Sequence, residues 1–319
     1  MLFPRTIIRR MSSLPPYVIW RSEGLVASLS PHPCTPGCVT LQLCPPGPPG
    51  RSVFQLEEHR FLQLLLGAQS VSQLLCRRLG VLRCALVHRP HRDTPAQIRI
   101  LPLHGLASEW RPHLAGEEDY NAIDPGYISS RTAPRWPSSR LSEIQTRIRA
   151  QLPEPNAPQN LSFLGVDPAD PGLFPRIIRG EEEEQWRVWE DQSHVAFLTP
   201  FPNSPGFTVL VPRRPLTSDI FRLEKQDYEG LVLAALKVAR LLEAGLGASG
   251  VGLIFEGFEI DYAHAKLIPL LASEEEEEDA KLKAPPQFYP TYPGYVSSED
   301  GPEASEEDLK ELHRKITQS

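Results

Sequence analysis

His264 and Lys266, in the stretch VGLIFEGFEIDYAHAKLIPL (251–270), have the types and spacing that covalent chemistry asks for. The stretch reads as two apolar strands, Val251 to Phe255 and Tyr262 to Pro269, joined by a turn around Gly257. Alternate side chains of an extended chain share a face. Tyr262, His264 and Lys266 therefore project together, and Ala263, Ala265 and Leu267 face the other way. His264 stands between two alanines, which leaves open space above its ring. A neutral imidazole is a nucleophile, and a cation two residues on disfavours its protonation. The same pattern also fits a half-buried histidine at a sheet edge with its hydrogen bonds satisfied.

The elements that position this stretch occur twice. LFPRTIIR begins at Leu2 and LFPRIIRG at Leu173. IWRSEGLVASLSPHPCTPGCVTL from Ile19 matches VWEDQSHVAFLTPFPNSPGFTVL from Val188 without a gap, SVFQLEE from Ser52 matches DIFRLEK from Asp219, and DPGYISS from Asp124 matches YPGYVSS from Tyr292. The offset stays between 167 and 171 residues throughout, which reads as a tandem duplication. Each copy has a hairpin, Trp186 to Glu190 and His194 to Leu198 in the second, then a Pro-Gly turn and the strand Phe207 to Pro212. An amphipathic helix follows, Glu57 to Leu79 in the first copy and Glu224 to Leu246 in the second. Leu64, Ala68, Val71 and Leu75, like Leu231, Ala235, Val238 and Leu242, recur at helical spacing and belong to the core. The fold class is α+β: two domains, each an antiparallel sheet crossed by one long helix. They span 1–150 and 173–319, with a Pro-rich linker over 151–172. The segments ending at Ser130 and Ser298 are expected to fold back over the sheet, with Tyr127 and Tyr295 as packing anchors.

Composition narrows the classes. The 319 residues suit two domains, and 40% hydrophobic with 23% charged content is that of a globular protein. Residues 1–150 carry 18 Arg, no Lys and 10 acids, a net +8; residues 151–319 carry 15 basic and 30 acidic groups, a net −15. The acidic runs Glu181 to Glu184 and Glu274 to Asp279 read as solvated loops. Nothing here demands nucleic acid. No apolar run reaches the roughly 18 residues that span a bilayer, so no membrane partner is expected. Five cysteines at irregular spacing argue for a reducing compartment rather than a disulfide framework. His32, Cys34 and Cys38 lack a fourth ligand at zinc spacing, so no metal and no cofactor is expected. The Arg-rich, acid-free opening resembles a mitochondrial presequence, but the repeat makes Leu2 to Arg9 the first strand of a domain. The expected location is cytoplasmic, with mitochondrial as the alternative.

The second copy resembles a histidine-triad (HIT) domain. The blocks that carry the likeness are IIRGEEEEQWRVWEDQSHVAFLTPFPNSPGFTVLVPRR (177–214) and IFEGFEIDYAHAKLIPL (254–270). The family's hallmark, His-x-His-x-His before two apolar residues, reads here Tyr262-Ala263-His264-Ala265-Lys266-Leu267-Ile268. The resemblance implies a nucleoside phosphate hydrolase or nucleotidyl transferase acting on dinucleoside polyphosphates or nucleoside phosphoramidates, with His264 attacking the α-phosphorus. Lys266 and Tyr262 would assist. Phe174, Ile177, Phe197 and Thr199 would line the base and ribose pocket, and Gly257 and Glu259 would lie at the phosphate. The departures are Tyr262 and Lys266 for the outer histidines, Thr199 for a ribose-gripping acid, and Glu259, whose carboxylate repels phosphate. The other reading these departures leave is a catalytically weakened nucleotide-binding or protein-interaction module. In the first copy Gln97 matches His264, Pro95 matches Tyr262 and Arg99 matches Lys266, so that copy is non-catalytic. HIT domains commonly pair as dimers. A fused pair implies an intrachain pseudo-dimer, monomeric as a chain, that takes a nucleotide or nucleoside phosphate.

Overall fold

A computed structural model describes residues 15–272 and 285–318. Ten antiparallel strands form a single sheet. The first seven elements are β1 (Val18–Ser22), β2 (Leu25–Leu29), β3 (Val39–Leu43), a 3-10 turn (Val53–Gln55), α1 (Glu58–Leu79), β4 (Arg83–His88) and β5 (Gln97–Leu103). After α2 (Ser138–Arg149) and α3 (Leu173–Arg179) the same succession returns as β6 (Arg187–Glu190), β7 (His194–Leu198), β8 (Thr208–Pro212), a 3-10 turn (Ile220–Arg222), α4 (Lys225–Leu246), β9 (Gly250–Phe255) and β10 (Ala265–Leu270). A last helix, α5, spans Glu306–Thr317.

The sheet order is β1-β2-β3-β5-β4-β9-β10-β8-β7-β6, which reads the same from either edge once the repeated elements are equated. Register makes this residue-specific. Arg99 pairs with Thr40 and Val87, and Lys266 pairs with Val209 and Ile254. Val87 and Ile254 in turn pair with each other where β4 meets β9. The halves thus join through equivalent strands, and main-chain hydrogen bonds run unbroken across the junction.

α1 and α4 lie on one face of the sheet. Leu64, Ala68, Val71, Leu75, Leu231, Ala235, Val238 and Leu242 are all fully buried, as their 3.6-residue spacing requires. Truncating one of these leucines to alanine costs about 2–5 kcal/mol. α1 and α4 also touch each other: Tyr228 donates its hydroxyl to the Leu65 carbonyl at 2.8 Å. The two remaining long helices pack against the opposite half of the chain. α2 lies on α4 and β6, with Gln145 donating to the Arg187 carbonyl at 2.9 Å. α5 lies on α1 and β1, with the His313 ring 2.9 Å from the Val18 carbonyl.

The other face of the sheet holds a second apolar cluster that includes Phe174, Phe197, Phe258, Tyr262, Ile128 and Val296. Ile128 lies on β9 because Gly252 has no side chain: a Cβ there would come within 2.5 Å of the Ile128 Cδ1 atom.

Two expectations change. Leu173–Arg179, the counterpart of Leu2 to Arg9, is helical rather than extended. Its apolar residues Phe174 and Ile178 are buried four positions apart, one turn of a helix. Leu2 to Arg9 itself lies outside the described residues, as does Glu274 to Asp279. The last strand starts at Ala265, so Tyr262 and His264 sit on the approach to it. Glu181 to Glu184 is the exposed loop expected, and it also forms one wall of a pocket.

Candidate functional site

His264 occupies the floor of a pocket of about 570 Å³ whose lining also includes Phe174, Ile177, Phe197, Thr199, Glu259 and Lys266. Each side chain arrives from a different element. α3 delivers Phe174 and Ile177, the end of β7 delivers Phe197 and Thr199, and β10 delivers Lys266. The Phe174 ring meets His264 edge-on at 5.6 Å and Phe197 at 5.8 Å. Seven of the nine residues picked from the sequence therefore share one recess.

Tyr262 and Gly257 do not line it. Tyr262 is packed edge-on against Phe174 and donates its hydroxyl to the Pro212 carbonyl at 2.8 Å, so its one polar handle is committed elsewhere. Gly257 is held at φ +85° with the Ser218 carbonyl 2.5 Å from where a Cβ would be, and its own carbonyl accepts from the Trp110 indole at 2.9 Å. Gly257 itself is thus enclosed by packing, while Glu259 and Ile260 of the same turn line the pocket.

The His264 ring is 3% exposed, and Nδ1 lies 2.7 Å from the Tyr262 carbonyl. A carbonyl accepts only, so Nδ1 carries the proton and Nε2 keeps its lone pair. Among the described residues nothing donates to Nε2. Burial first, and then the Lys266 charge, lower the pKa of this histidine below its ordinary value. The ring is therefore neutral at pH 7, with one nitrogen free to react.

Lys266 is tied down. Its three N–H groups meet the Ser130 carbonyl, Glu256 and Glu259, each at 3.3 Å. Burial alone would lower its pKa; Glu256 and Glu259 outweigh that and hold it above its ordinary value. Glu256 is itself buried, and its other oxygen accepts from Ser130 at 2.9 Å and Tyr292 at 2.5 Å. Glu259 is the exposed partner, with 37% of its side chain accessible.

The rim adds more charge. Arg135 pairs with Glu184 at 2.5 Å and Arg176 with Glu182 at 3.1 Å. Carboxylates outnumber cations around this opening: Glu181, Glu182, Glu183, Glu184 and Glu259 face Arg135, Arg176 and Lys266. Reading the sequence alone missed Glu256, Arg135, Arg176 and Ser130. Ser130 and Arg176 had a signal, since each lies in a repeated segment; Glu256 and Arg135 had none. Among the described residues no three His, Cys, Asp or Glu side chains gather as a metal site would need. Nor is any described helix long and apolar enough to cross a membrane.

No protein-family model and no curated protein matches the chain. Solved structures do. A Hit-like protein from Bartonella henselae is 20% identical over 45% of this chain and 92% of its own, with a TM-score of 0.28. A uridylyltransferase is 11% identical over 93% of this chain and 86% of its own, at 0.46. An ADP-glucose phosphorylase from Arabidopsis thaliana is 9% identical over 93% of this chain and 82% of its own, at 0.43. At these scores the likeness assigns no residue a role. The structural neighbours of this chain include proteins described as Hit-like, as a uridylyltransferase and as an ADP-glucose phosphorylase.

Proposed function

We propose that this chain is a nucleotidyl-transferring enzyme, a hydrolase or transferase of nucleoside phosphates, that works through a covalent nucleotidyl-His264. The observation that carries the reading is the hydrogen bond from Nδ1–H of His264 to the Tyr262 carbonyl. It fixes the tautomer whose Nε2 lone pair is a nucleophile. Attack on the α-phosphorus forms a P–N bond and expels the leaving group, which takes its proton from water. The ring then carries positive charge, which the Tyr262 carbonyl stabilises through the retained Nδ1–H. A water oxygen, or another acceptor, displaces the imidazole, and its proton passes to solvent. Phe174, Phe197 and Ile177 offer an apolar slot for the base, and Thr199 a hydroxyl for the ribose. The α-phosphate meets Lys266 only by taking the place of Glu259, the exposed one of that lysine's partners. The two halves would form an intrachain HIT-like pair, with 1–150 the non-catalytic member.

A second reading rests on the acidic rim and on the full engagement of Lys266. Both suit a module that keeps the pocket for binding and has given up transfer. Intact-mass analysis separates the two. Wild type and His264→Ala are incubated with a panel of nucleoside phosphoramidates and dinucleoside polyphosphates. A transient mass increase of one nucleotidyl group, in wild type alone, is the expected result. Equal turnover by His264→Ala would sink the enzymatic reading, and nucleotide binding without an adduct would favour the module.

A further inference from the structure

A larger recess than the one above His264 lies around Arg99 of the first half and is closed by residues between 285 and 300 of the second. Its cavity is about 1330 Å³, lined among others by Gln97, Arg99, Arg131, Tyr127, Tyr289 and Tyr295. Strand register sets Arg99 at the position Lys266 has in the second half. The surroundings differ in kind. Lys266 is saturated by two carboxylates and a carbonyl. Arg99 gives Nη1 to the carbonyls of Ser298 and Glu299, at 2.8 and 3.0 Å. Its Nη2 faces the sulfurs of Cys34 and Cys38, at 3.8 and 3.7 Å, which are weak acceptors.

Charge is layered across this recess. The Arg99 side chain is 12% exposed, and its carboxylate partner Asp300, at 3.2 Å, is 71% exposed. Arg131 is 21% exposed, and its partner Glu117, at 3.5 Å, is 82% exposed. The Arg131 guanidinium lies flat over the Tyr295 ring at 3.8 Å. Arg89 also lines the cavity, and the buried Nε–H groups of Arg89 and Arg131 find no partner among the described residues. Arg99 and Arg131 are thus fixed inside while their carboxylate partners sit loosely in solvent; Arg89 is already paired with Asp124, 21% exposed, at 2.6 Å. A rim carboxylate contributes little to such a pair, whereas a buried guanidinium gains from a bidentate anion.

We propose that this recess binds a phosphorylated small molecule with a flat ring, of the nucleoside polyphosphate class, and holds it without transferring it. Phosphate oxygens replace Asp300 and Glu117 on Arg99 and Arg131, and the ring lies against the tyrosine wall. Gln97, in the His264 register, has an amide nitrogen with no available lone pair, so the ligand leaves unchanged. The cavity exceeds the usual few hundred to about 1,000 Å³ of small-molecule sites, so size excludes nothing in this class. The inference does not rest on the chemistry proposed for His264.

The test is calorimetric titration of the full-length His264→Ala protein with ATP, GTP and inorganic pyrophosphate. That background removes any covalent step at the other pocket. Arg99→Leu and Arg131→Leu should each weaken ATP binding at least about tenfold. The paired rim variant Glu117→Gln/Asp300→Asn changes only exposed side chains, so folding is preserved; it should tighten binding about three- to tenfold. Pyrophosphate should bind more weakly than ATP. Absence of ATP or GTP binding up to about 1 mM, or binding indifferent to all four substitutions, would overturn the proposal. Pyrophosphate binding as tightly as ATP would overturn the part assigned to the ring.

Discussion

Lys266 Nζ donates to the Ser130 carbonyl, 136 residues earlier in the chain, and Arg99 Nη1 donates to the Ser298 carbonyl, 199 residues later. Ser130 and Ser298 end the two copies of the Pro-Gly-Tyr segment, so each copy's basic residue is held by the other copy's tail. The tails also pair with each other at Ser129 and Ser297. Both candidate sites are therefore assembled from both halves.

The Lys266–Glu256 pair gives a direct test of that assembly. Lys266→Met leaves Glu256 buried without its cation and should cost about 3–5 kcal/mol. The double variant Lys266→Met/Glu256→Gln should recover much of this. Urea unfolding of the four proteins in the cycle measures the coupling, and additive losses would mean that the pair is not a unit.

The proposed chemistry has a pH signature. Protonated imidazole has no lone pair for phosphorus, so adduct formation falls on the acid side of the His264 pKa. Burial and Lys266 lower that pKa, which places the acid limb below the ordinary histidine value of about 6.5. Removing the charge with Lys266→Met should move the limb to higher pH. A limb that stays in place would dissociate Lys266 from the nucleophile.

Phosphate entering the His264 pocket competes with fixed carboxylates. Glu259→Gln frees one N–H of Lys266, and Glu182→Gln and Glu184→Gln release Arg176 and Arg135. Each exchange should tighten nucleotide binding about two- to fivefold, the scale of an exposed ion pair. Dissociation constants unchanged in all three would mean that the phosphate does not reach these cations.

His88 predicts acid sensitivity in the first half. Its ring is 1% exposed, with Nδ1 2.8 Å from the Gln97 carbonyl and Nε2 accepting from the Val53 N–H at 3.3 Å. Burial pushes its pKa down to about 4. The unfolded chain takes up this proton near pH 6.5 and the folded chain does not. Stability from this residue is therefore full above about 6.5 and is lost as pH falls toward 4, by roughly 3 kcal/mol. The same register position in the second half is Phe255. His88→Phe should flatten the acid limb of the stability curve, measured by denaturant midpoint against pH.

Much of the scaffold was legible because periodicity and repetition are local signals. The two helices begin within a residue of where the apolar stripes put them, at Glu58 and Lys225. The alternation around His264 correctly separated Ala263, Ala265 and Leu267, which meet the helices, from Tyr262, which meets Phe174. What no local pattern carries is the partner of a charge. Lys266 reads as a free cation in sequence, and its neutralisation depends on Glu256 and Glu259 folding back ten and seven residues. Nor does a local pattern carry the pairing of Glu184 with Arg135, 49 residues earlier. Tyr262 looked like part of the site because strand alternation gives a face, but it gives no partner for the hydroxyl.

The crossed tails bear on what either half would be without the other. Because Ser130 clasps Lys266, the amino-terminal half is part of what holds the second half's pocket. Excising it would not liberate a smaller version of the same protein. It would leave the surviving half missing a clasp, a helix cover and a neighbouring strand at once.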